Sequence, residues 1–87
     1  MDRGIVFVDD EENILNGLRR SLRRMRREWK MAFALSGQEA LDKLEEGGFD
    51  VIVSDMRMPG MDGAELLKRV HERYPHMTRI VLSGQCE

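Results

Sequence analysis

Three short apolar runs constrain this chain most: GIVFV at residues 4–8, DVIVS at 50–54 and RIVLS at 79–83. The first is β-branched, stops at Asp9 and Asp10, and reads as a strand buried on both faces. The second runs straight into a carboxylate, Asp55, followed by Pro59 and Gly60. The third meets Gly84. A fourth segment, WKMAFAL at 29–35, is less apolar and is expected as a strand at the sheet edge.

Helical patterns fill the intervals. Ile14, Leu15, Leu18, Leu22 and Met25 recur at helical spacing, with arginines on the opposite side, which predicts a helix over residues 11–27. Acidic and polar residues at 10–13 suit its start, and arginines suit its end. Ser36 and Glu39 have the spacing of a capping box, with Ala40, Leu41 and Leu44 as the apolar stripe and Gly47-Gly48 as the stop. Asp62 is a candidate cap for a third helix carrying Ala64, Leu66, Leu67 and Val70, ending before Pro75. Strictly alternating strands and helices predict an α/β fold: right-handed crossovers and a parallel sheet between helical layers. One domain is the limit for 87 residues, which is short for such a three-layer fold.

In an open parallel sheet, ligands collect outside the carboxyl ends of the strands. Asp9, Asp10 and Asp55 stand at such ends. If strands one and three are neighbours, three carboxylates converge and repel unless a cation neutralises them. All-oxygen ligation with retained water is the preference of Mg²⁺. Taken singly, Asp10 or Asp62 is better explained as a helix cap. The acid pair together with Asp55 is not. Ser54 and Ser83 also end strands, where a hydroxyl can hydrogen-bond an anion or be only a polar strand terminus.

The segments VFVDDEE at 6–12, DVIVSDMRMPGMDG at 50–63 and RIVLSG at 79–84 resemble the receiver domain of two-component response regulators, in that family's order and spacing. The resemblance implies a doubly wound, flavodoxin-like sheet of strand order 2-1-3-4. It implies that Asp55 accepts a phosphoryl group from a sensor histidine kinase or phosphotransfer protein. Mg²⁺ would be bound by Asp10 and Asp55, by the main-chain carbonyl of Arg57, and by Asp9 through a water. Ser83 matches the hydroxyl that hydrogen-bonds the phosphoryl group, Gly84 the small residue that keeps the site open, and Pro59 shapes the loop beside Asp55.

The family continues with a fifth strand ending in a phosphate-pairing lysine, an aromatic switch residue, and a fifth helix. Residues 1–87 stop before these, so strand 5 and helix 5 are absent, and the chain is expected to be a receiver domain incomplete at its C-terminus. It is expected to belong to a longer regulator with an output domain, and to leave strand four as an exposed apolar edge open to homodimer pairing. The alternative reading is a degenerate receiver that works as a phosphorylation-independent interaction module. A Mg²⁺-dependent phosphohydrolase would need an acid two residues after its nucleophile. Arg57 occupies that position and cannot exchange a proton, so a turnover enzyme is not expected.

The remaining features bound the surroundings. No apolar run approaches a membrane span, the N-terminus does not read as a signal peptide, and the single cysteine, Cys86, has no intrachain partner. A cytoplasmic setting without membrane contact is expected. The basic segment Arg19, Arg20, Arg23, Arg24, Arg26, Arg27 and Lys30 reads as a solvated helix face paired with Glu11, Glu12 and Glu28. With a net charge of −2 and no aromatic interleaving, nucleic acid is not expected as a partner of this domain.

Overall fold

The computed structural model describes residues 3–82. Four strands alternate with three helices: β1 Arg3–Val8, α1 Glu12–Ser21, β2 Trp29–Ala34, α2 Gly37–Leu44, β3 Val51–Asp55, α3 Gly63–Arg73 and β4 Thr78–Leu82. All strand pairings are parallel and the order is β2-β1-β3-β4. The expected architecture is therefore present, with β2 at an edge and β1 beside β3.

The period-two alternation of the strands divides the apolar residues between two layers. Val6, Val8 and Ile52 face α2 and α3, where they meet Ala40, Leu41, Leu44, Leu66, Leu67 and Val70. Phe7, Phe33 and Val53 face the other way and pack on Leu15 of α1. Phe7 and Phe33 lie stacked on adjacent strands, their ring centroids 5.4 Å apart. Ile52 is fully buried at the centre of the larger layer. Ile52→Val removes one methylene group there and should cost about 1 kcal/mol, read as a lower urea midpoint with an unchanged slope.

The capping expectations hold, with one change of detail. Asp62 accepts from the Glu65 N–H at 2.9 Å, and Ser36 accepts from the Glu39 N–H at 3.1 Å. The Glu39 carboxylate reaches past the cap to the Leu35 N–H, at 2.7 Å. Both Gly47 and Gly48, beyond the end of α2, have positive φ, which glycine adopts without strain.

The first helix departs from expectation. It ends at Ser21, and Arg23–Arg27 form a short 3-10 helix with no buried residue. Like charges recur there at three- and four-residue spacing, which disfavours a continued α-helix, and no apolar side chain anchors the segment to the sheet. Ile14 and Met25, assigned to the inward stripe, are exposed, whereas Leu15, Leu18 and Leu22 pack against the sheet. The expected pairing of the arginines with Glu11, Glu12 and Glu28 is also not found. The ion pairs among the described residues are Arg69–Glu65 and Arg73–Glu45.

Candidate functional site

Register builds the site. Val8 is the partner of Ser54, so the next residues, Asp9 and Asp55, emerge side by side where β1 and β3 end. Asp55 remains within the β3 ladder, opposite Leu82 of β4. Asp9 is held from the other side, because its N–H donates to the Ala34 carbonyl at 3.1 Å. Carboxylate oxygens of Asp9, Asp10 and Asp55 all lie within 4.8 Å of one another. The convergence expected from strand adjacency is therefore present.

The three acids differ in environment. Asp9 is buried, Asp55 is half-buried and Asp10 is exposed. One oxygen of Asp9 accepts from the Glu11 N–H at 2.9 Å. Burial raises the Asp9 carboxyl above its usual value of 3.8; the Glu11 N–H opposes the rise, and the charges of Asp55, Asp10 and Glu11 add to it. Because the folded value lies above the unfolded one, the stability Asp9 contributes is complete below the unfolded value and is lost as pH rises through the folded value. Asp9→Asn cannot ionise. In metal-free buffer its melting temperature should gain on that of the wild type as pH rises from about 4 to 7. Thermal melts across that range check this, and a constant difference would contradict it.

The loop after β3 forms the rim. Arg57 and Pro59 are exposed and, with Met56, Met58 and Asp62, line an open depression of about 510 Å³ on the loop that follows Asp55. Gly60 turns the chain with a φ of 75°. The loop closes where the Gly63 N–H donates to the Met56 carbonyl at 2.8 Å. Two contributors were not singled out from sequence. Gly63 packs so tightly under the loop that an added Cβ would lie 2.7 Å from the Met56 Cα. Met61 lies against Gly37 and ties the loop to the start of α2. The only sequence signal was the glycines themselves.

Ser54 is a polar strand terminus rather than an anion ligand. Its hydroxyl is fully buried and donates to the Asp55 carbonyl at 2.8 Å, so it faces away from any anion at the rim. Ser83 and Gly84, expected at the phosphoryl group, lie outside the described residues.

A parallel sheet of this order, with acids gathered at its carboxyl edge, defines a class of fold and site that known proteins share. The chain belongs to the response regulator receiver domain family, whose model matches residues 5–87. Members are phosphoryl-accepting modules of two-component systems. The hydrogenase transcriptional regulatory protein HoxA of Cupriavidus necator is 41% identical over 80 residues, covering 92% of this chain and 16% of that protein. The DNA-binding transcriptional regulator NtrC of Klebsiella pneumoniae is 39% identical over 88 residues, covering 100% of this chain and 18% of that protein. The chain thus spans less than a fifth of these relatives.

Solved structures agree on the fold. The signal receiver domain of an HD domain-containing protein from Pseudomonas fluorescens superposes with a TM-score of 0.91 at 34% identity, over 100% of this chain and 68% of that one. The response regulator TrrA of Thermotoga maritima, in complex with Mg²⁺-BeF, gives 0.83 at 32% identity, over 98% of this chain and 71% of that one. No helix among the described residues is long and apolar enough to cross a membrane.

Proposed function

We propose that this chain is the phosphoacceptor switch of a longer response regulator, and that Asp55 takes the phosphoryl group from a histidine kinase or phosphotransfer protein. The observation that carries the reading is the Asp9–Asp10–Asp55 cluster at the junction of β1 and β3. An oxygen of the Asp55 carboxylate attacks the phosphorus atom. The bond to the donor's leaving atom breaks, and its electron pair departs with the donor. Such a transfer needs positioning and charge neutralisation more than acid–base help.

The donor set is all oxygen and crowded with like charge, which fits a hard divalent cation. Asp10 and Asp55 would hold Mg²⁺ directly, with the main-chain carbonyl of Arg57, and Asp9 through a water. When bound, the ion offsets the acids' repulsion of the incoming phosphoryl group. Arg57 and Pro59 lie on the loop that follows Asp55, and the ladder with β4 fixes the Asp55 backbone. Acetyl phosphate with Mg²⁺ should add one phosphoryl group per chain, seen by intact-mass spectrometry, and a chelator should prevent it. Equal labelling with and without the chelator would defeat the metal assignment.

Among the described residues, β4 is an outer strand of the sheet and exposes Ile80, Val81 and Leu82. An apolar strand with an open edge pairs readily with another, so a second copy is the expected partner there. Light scattering after size exclusion should give the dimer mass at micromolar concentration. A monomer throughout would remove that part of the reading.

A further inference from the structure

The strongest feature outside the site lies at the opposite end of the sheet. The strands are parallel, so the chain returns through α1 to the edge where β1 and β2 begin, and the 3-10 helix Arg23–Arg27 sits on that edge. Arg20, Arg23, Arg24, Arg26 and Arg27 are all exposed. Among the described residues, none of them takes part in an ion pair, side-chain hydrogen bond or cation–π contact. Two neighbouring cations are differently placed. Arg19 lies over the Phe33 ring at 4.6 Å, and Lys30 donates to the Gly47 carbonyl while covering Phe49. Residues 19–30 contain one acid, Glu28.

Five exposed guanidinium groups within residues 20–27 repel one another, and Glu28 is the one acid in residues 19–30 to offset them. We propose that this ridge is a docking surface for the phosphate backbone of duplex DNA, read without regard to base sequence. The guanidinium fork suits phosphate oxygens. A helix-sized ridge fits the major groove of B-form DNA, about 12 Å wide, and arginines around it reach phosphates on both walls. The deep, narrow major groove of A-form RNA does not admit it.

The surroundings argue against other anions. A protein interface needs an apolar centre, and here the one large exposed apolar residue within the ridge is Met25. Insertion at a membrane surface needs a free apolar helix face. The apolar face of α1, through Leu15, Leu18 and Leu22, is packed on the sheet.

The test is fluorescence anisotropy of the full chain with a 30-base-pair duplex of scrambled sequence at several salt concentrations. Binding should weaken linearly on a log–log plot against salt. Replacing Arg23, Arg24, Arg26 and Arg27 by Gln should lower affinity at least tenfold and reduce the slope by about 2–4. Replacing the same four by Lys should restore most of the affinity. A Lys68→Gln, Arg69→Gln double variant on α3 should bind as the wild type does. Absence of salt-dependent binding by the wild-type chain, or equal binding by the glutamine variant, overturns the proposal. So does tighter binding to polyglutamate, to anionic phosphatidylserine vesicles or to duplex RNA. Acetyl phosphate labelling of Asp55 in the glutamine variant should stay at the wild-type level, which separates this surface from the phosphoacceptor.

Discussion

Asp55→Asn should abolish phosphoryl incorporation from acetyl phosphate while leaving the fold intact. The amide has nearly the same size and keeps one carbonyl oxygen for its surroundings, so β3 has no reason to leave its ladder opposite β1 and β4. What disappears is the anionic nucleophile. One of three repelling charges goes with it, so the metal-free variant should melt at or above the wild-type temperature. Intact-mass spectrometry reads the first effect and a thermal melt the second. Incorporation at the wild-type level would mean that another residue is the acceptor, and the proposed function would fail with it.

Gly63→Ala should be the most damaging small substitution near the site. The new methyl group would collide with the Asp55 carbonyl and crowd the Met56 Cα. Both are backbone atoms, so relief requires the loop or α3 to move rather than a side chain to rotate. Overpacking of this kind costs about 1–3 kcal/mol, and rigid backbone neighbours put it near the upper end. For a domain of this size the melting temperature should fall by about 10–20 °C. Because the displaced carbonyl belongs to Asp55 itself, labelling should slow even at temperatures where the variant is folded. A normal melt with normal labelling would show that the loop yields easily.

The legible parts of the fold were those governed by periodicity and chain punctuation. The runs GIVFV and DVIVS fell into the centre of the sheet, and the lower apolar content of WKMAFAL marked an edge. The acids were legible because they stand at the carboxyl ends of two strands, and register does the rest. The end of α1 was not legible, since its apolar spacing continues to Met25 while the arginines and the lack of a buried anchor turn the backbone into a tighter helix. Ser54 was left open for a related reason. A strand-terminal hydroxyl can point to either side of the sheet, and only the pleat decides which. Gly63 and Met61 act through close packing between distant segments, which composition and spacing do not encode.

The sheet separates two apolar layers of unequal size, and this sets how the molecule opens. Among the described residues, the α1 side holds four buried apolar residues, while the other side holds eleven. Cooperative opening therefore begins with α1, and its amide protons should exchange with solvent sooner than those of α2 and α3. Asp10 lies two residues before α1, next to its N-cap Glu11, so it would be released in such an excursion. Asp55, paired with Leu82 in the ladder to β4, would not. Asp55 would then stay with the better-buried layer while Asp10 moves with the looser one.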